Sequence, residues 1–263
     1  MFIIYIFILI IFLLAIGFSF VKLRKKKPIK AGPIPGSYRT ILAENVPFYQ
    51  QLDETRKKEF EERVQHFLAQ IKITGVKTVV EDIDRVLIAA SAVIPIFNFP
   101  KWEYINLHEV LLYPDSFDHD FEQQGPGRNL LGMVGSGALN HVMILSQNEL
   151  RDSFINQTGK GNVGIHEFVH LVDKTDGSID GVPEVLLEKK YIVPWLQLMQ
   201  HEMQQIRDDR SDINPYGATN ESEFFAVAAE YFFERPELLK EKHPELYELL
   251  GRIFSVTVKE EPE

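Results

Sequence analysis

The chain has 263 residues, with 28 Lys and Arg against 38 Asp and Glu, a formal net charge of −10. Such an acidic balance argues against a nucleic-acid binder, which needs a basic footprint for phosphates. With no cysteine anywhere, a thiol nucleophile is excluded, and a reducing compartment fits.

In chain order, residues 2–21 come first: an uncharged run of mostly Ile, Leu, Phe, Ala and Val. At about 1.5 Å per residue it is long enough to cross a hydrocarbon core of roughly 30 Å. No Lys or Arg precedes it, and Lys22, Arg24, Lys25, Lys26, Lys27 and Lys30 follow it. This is the charge order of a retained anchor rather than a cleaved signal. It predicts a single-pass protein anchored in the lipid bilayer by residues 1–21, with the large domain in the cytoplasm. Residues 22–40 read as a basic juxtamembrane segment, placed to meet anionic headgroups, running into a Pro/Gly-rich semi-rigid spacer. Setting those six basic residues aside leaves 22 Lys and Arg against 38 Asp and Glu, a net charge near −16 for the rest.

Residues 41–256 are the size of one domain with its own core, and residues 257–263 form an acidic tail. Periodicity predicts helices over Asp53–Ile71 and Ile83–Phe97, and strands over Leu107–Tyr113 and Asn140–Leu145. Gly132–Gly137 reads as a flexible turn; it has neither the spacing of a nucleophile elbow nor that of a phosphate loop. Further helices are expected near Glu184–Asp208, Glu221–Glu234 and Pro244–Phe254. Helices outnumber strands without βαβ alternation, so the expected class is α+β. His66, His201 and His243 sit in charged helical contexts and read as solvated. His119 lies in a polar loop, and His108 and His141 border strand candidates from which either could approach a cleft.

The most informative segment is His166-Glu167-Phe168-Val169-His170, inside Gly164–Asp173. Ile165, Phe168, Val169 and Val172 recur at helical spacing as a buried stripe, and His166, His170 and Asp173 share another. Two imidazoles four residues apart on one face can grip one Zn²⁺, with Glu167 within reach of a water on that ion. Catalytic zinc takes three protein ligands, so a third must come from elsewhere. Asp173, one turn on, would crowd a single helix and reads instead as a carboxylate orienting a histidine ring. Glu223 and Glu230 share one face of the apolar stretch Tyr216–Phe233. Asn220 and Glu223 equally fit a helix-start capping box, and spacing alone does not separate that role from metal ligation. Glu230, deeper in the apolar run, reads as an alternative ligand or a supporting carboxylate.

Together with Gly181-Val182-Pro183, Val46-Pro47-Phe48-Tyr49, Leu111-Leu112-Tyr113-Pro114 and Leu150-Arg151-Asp152-Ser153-Phe154, these segments resemble the Mlc titration factor A family of zinc peptidases over about residues 40 to 250. At the site alone the chain is also distantly similar to the catalytic domain of anthrax lethal factor. The resemblance implies a zincin-like metallopeptidase domain, helix-rich with a small sheet. It implies one zinc ion held by His166, His170 and Glu223, Glu167 as general base, and Tyr216 as donor to the oxyanion. A peptide or protein would be the substrate, and the 140–145 strand would lie beside the cleft where it can pair with an extended peptide. A second implied reading is a regulatory module that sequesters a protein partner such as a transcriptional repressor, with hydrolysis secondary.

Overall fold

The computed structural model describes residues 32–118, 122–123, 128, 130–135, 140–156 and 158–254. The expected anchor at 2–21, its basic flank, His119 and the tail at 257–263 lie outside the described residues. Among the described residues, no helix is long and apolar enough to cross a membrane.

The first described element, α1 (Gly36–Asn45), starts directly after Pro35, inside the stretch expected to be spacer. A short α2 (Pro47–Gln50) and α3 (Glu54–Gln70) follow, α3 capped by the Asp53 carboxylate accepting from the N–H groups of Thr55 and Arg56. Next come β1 (Lys72–Gly75), α4 (Asp82–Ile96) and β2 (Glu109–Tyr113). β3 (Gly132–Val134) and β4 (Val142–Ser146) complete the sheet. The remaining helices are α5 (Gln147–Ile155), α6 (Val163–Asp173), α7 (Lys189–Arg207), α8 (Glu221–Glu234), α9 (Pro236–Lys242) and α10 (Pro244–Phe254).

The α+β expectation holds, with one correction to the connectivity. The strand order is β1-β2-β4-β3, with β1, β2 and β4 parallel and β3 antiparallel to β4. The sheet is therefore mixed, and β1–α4–β2 is a strand–helix–strand crossover. β1 escapes the sequence pattern because only Ile73 of its four residues is buried. A second correction concerns Gly132–Val134, which forms a strand rather than a turn, with Met133 opposite Ile144. β4 is thus hydrogen-bonded on both sides and has no free edge to offer a peptide; β3 is the strand at that border.

α4 is buried along nearly its whole length and forms the spine of the core. α6 packs against α4, α8 and β3. Phe168, fully buried, holds it through an edge contact with Phe67 and a tilted contact with Tyr104 at centroid distances of 5.6 and 5.1 Å. α7 begins at Lys189 rather than 184, because Pro183–Leu187 closes its own turn, with the N–H groups of Leu186 and Leu187 both donating to the Pro183 carbonyl. His243 is not solvated: it lies 3.0 Å from Glu202 and 2.8 Å from Asp212. His108 and His141 stack on each other at 4.5 Å and do not line the site.

Candidate metal centre

α6 is set in place at its first residue. Asn162, fully buried, caps it by accepting from the Ile165 N–H, and donates its own N–H to Glu230 (2.5 Å) and its side-chain amide to Glu234 (2.9 Å). Two carboxylates of α8, four residues apart on one face, thereby clamp the start of α6. Burial pushes the Glu234 carboxyl up to about 7, against the lowering effect of the Asn162 amide.

This docking turns His166 and His170 toward Glu223 at the start of α8. His166 Nε2 lies 3.0 Å from Glu223 Oε2 and 3.1 Å from His170 Nε2, and His170 Nε2 lies 3.4 Å from the same carboxylate oxygen. Three ligand atoms from residues 57 and 4 positions apart therefore form one triangle. Its edges match the spacing of about 3.3 Å expected between donors of a tetrahedral zinc with bonds of 2.0–2.1 Å. The donor set, two imidazoles and a carboxylate, suits the same ion.

Each ring is oriented from behind. Glu230 Oε1 lies 2.6 Å from His166 Nδ1, fixing the proton there and leaving Nε2 for the cluster; Ser222 Oγ lies 3.4 Å from His170 Nδ1. Burial disfavours charge on His166, but Glu230 and Glu223 outweigh it and raise its pKa well above the ordinary value. Burial opposes ionisation of Glu223 as well, yet the two histidines bring its carboxyl down to about 2.

Glu223 is thus turned into the cluster. Asn220 does cap α8 by accepting from the Glu223 N–H, but the Glu223 side chain does not return to close the capping box. Asp173 does not orient a histidine as expected. Its carboxylate accepts from the Gly181 N–H at 2.8 Å, tying the loop after α6 to the helix end. Gly181 itself has φ +76° and leaves no room for a Cβ beside the Glu221 carbonyl, which brings that loop against the start of α8.

Glu167 is buried on the other side of the cluster, where burial raises its pKa. A Cβ at Gly132 of β3 would sit 2.6 Å from its Oε1, so the strand passes directly over this carboxylate. Tyr216 belongs to a short 3₁₀ turn, Pro215–Ala218, and its ring centroid is 6.0 Å from that of His166. It is half exposed, and partial burial with the nearby charges of Glu223 and Glu167 raises its pKa, keeping the phenol a proton donor. A cleft of about 400 Å³ opens beside these groups, lined by Gly132, His166, Glu167 and Tyr216 among others.

Of the residues expected at the site, His166, Glu167, His170, Tyr216 and Glu223 come together. Asn162, Ser222, Glu234 and Gly132 were not anticipated. An Asn just before an apolar helical run is a readable cap signal, whereas Ser222 and Gly132 carry no local signature.

A helix-borne histidine pair, a carboxylate from a second helix and a carboxylate under a border strand define a metallopeptidase-like domain. The chain belongs to the glucose-regulated metallo-peptidase M90 family, whose sequence profile matches residues 20–255. An uncharacterized protein of Synechocystis sp. is 30% identical over 245 residues, covering 88% of this chain and 87% of the relative. Mlc titration factor A of Pectobacterium atrosepticum is 26% identical over 225 residues, 80% of this chain and 83% of the relative. The protein of that name from Serratia proteamaculans is 31% identical over 163 residues, 56% and 59% of the two chains.

Proposed function

We propose that the protein is a membrane-anchored zinc peptidase. The observation that carries the peptidase reading is the triangle of His166, His170 and Glu223 with a buried carboxylate, Glu167, beside it and a cleft in front. A zinc ion held by the three residues would polarise the scissile carbonyl and make a water it holds more acidic. Glu167 takes the proton of the attacking water and passes it to the leaving amine. Its burial, which raises its pKa above the usual carboxylate value, makes it a stronger base than an exposed carboxylate. Tyr216 donates a hydrogen bond from its phenol to the oxyanion as it forms, keeping its proton. β3, at the border of the sheet above Glu167, replaces β4 as the strand that pairs with the substrate backbone.

Replacing Glu167 by Gln tests the assignment. Peptide cleavage by the zinc-loaded protein should fall by at least about a hundredfold while zinc content stays unchanged. Cleavage that persists would remove Glu167 from the reaction. The name of several relatives, Mlc titration factor A, favours a second reading in which the domain binds a protein regulator. Under that reading Glu167→Gln leaves partner binding and the cellular phenotype intact.

A further inference from the structure

We propose that Glu149 is a specificity-determining residue that selects substrates carrying a basic side chain, lysine or arginine, next to the scissile bond; the inference rests on the peptidase reading above. The cleft beside His166 and Glu167 extends past the N-terminus of α6 to α5, where Glu149 and Ser153, four residues apart, present one face to it. Part of its lining is apolar, with contributions from Leu131, Val163 and Val227. Apolar walls beside a carboxylate match a side chain with an aliphatic stem and a cationic tip. Among the described residues, no Lys or Arg lines the cleft.

The polar groups near Glu149 are already engaged. Ser153 donates its hydroxyl to the Glu149 carbonyl and accepts from the Val163 N–H, and Glu230 is held by His166 and Asn162. The Glu149 carboxylate, by contrast, is half buried and has no hydrogen bond or ion pair among the described residues. Its backbone is nonetheless fixed, because its N–H donates to Ser146, the fully buried last residue of β4. An acidic substrate side chain entering beside Glu149 would meet that carboxylate with no Lys or Arg among the described lining residues to compensate it.

The cation could come from a basic side chain or from the substrate's free N-terminus, and the test separates them. Fluorescent hexapeptides, N-acetylated or free, with arginine or its neutral isostere citrulline at each position in turn, are titrated against zinc-loaded Glu167→Gln protein. Acetylated peptides with arginine at one register should bind roughly tenfold tighter than the citrulline set. Adding Glu149→Gln should abolish the difference, Glu149→Asp should keep it, and Glu149→Lys should shift preference to glutamate. Equal affinities, no binding of any peptide, selectivity that survives Glu149→Gln, or selectivity that follows the free N-terminus alone would each overturn the proposal. Because this readout needs no hydrolysis, arginine selectivity through Glu149 in a wild-type protein that cleaves none of the peptides would sink the peptidase reading and leave the subsite standing. Cleavage without selectivity would do the reverse.

Discussion

Gly132 and Glu167 share a space that only the smallest residue leaves open. The clash that Gly132→Ala introduces is with the end of a flexible side chain rather than with backbone, so it moves the Glu167 carboxylate instead of unfolding the strand. The variant should melt within a few degrees of wild type and keep its zinc, but lose about tenfold or more in kcat, since a misplacement near 1 Å at a reacting group can cost that much and more. Parallel calorimetry and peptide assays check the split. The proposed metal ligands can be ranked in the same way. Glu223→Ala removes a donor outright, Glu230→Ala removes the carboxylate that orients His166 and should weaken zinc binding by about 10–100-fold, and Asp173→Ala should leave affinity nearly unchanged. Competitive zinc titration of the three variants would refute the ligand assignment if Glu223→Ala proved the mildest. At this scale His166, Glu167 and His170 are legible because local spacing alone puts them on one helix. Glu223 is legible only through resemblance, because its local sequence equally fits a cap.

Helix α6 owes its placement to contacts at both ends: Asn162 between Glu230 and Glu234 at the start, and Asp173 on the Gly181 N–H at the finish. Burial raises the Asp173 carboxyl to about 6, with the Gly181 N–H pulling the other way. A raised folded-state pKa means the native protein holds this proton more tightly than the unfolded chain. The associated stability is fully present below the unfolded value near 4 and is lost as pH rises through about 6. Asp173→Asn removes that dependence, so its stability relative to wild type should increase between pH 4 and 7.5, by about 2–3 kcal/mol at most. Urea denaturation of both proteins across that range measures it, and a relative stability that stays flat or falls would show that the buried carboxyl is not the cause. Asp212 acts in the opposite sense. Partial burial opposes its ionisation, but Lys160, Lys242, His243 and Tyr231 hold it well below the carboxylate range, so what it contributes is lost only in acid. The long helices, α3, α4, α8 and α10, are readable from periodicity and caps. β1 and β3 are not, since strands of four and three residues with few buried side chains carry no period.

The whole molecule combines a domain built around α4 with an N-terminal apolar run outside the described residues. Residues 2–21 and the basic cluster after them predict that the full chain partitions with membranes, and that deleting residues 1–35 releases an active domain. A reporter fused at the C-terminus should resist protease added to intact cells, and its digestion would reverse the proposed orientation.

Sequence by itself determined what is local: the histidine pair and its glutamate on one amphipathic helix, the major helices and the apolar N-terminal run. Each follows from a repeat or spacing within a few residues. Tertiary structure alone decided the strand order, the passage of β3 over Glu167, the turning of Glu223 into the cluster rather than back to its own helix start, and the clamp of Glu230 and Glu234 on Asn162. The first two depend on long-range strand pairing and on how β3 packs against α6, the last two on how α8 packs against α6 across more than fifty residues of chain, and no local pattern encodes a distance that packing sets.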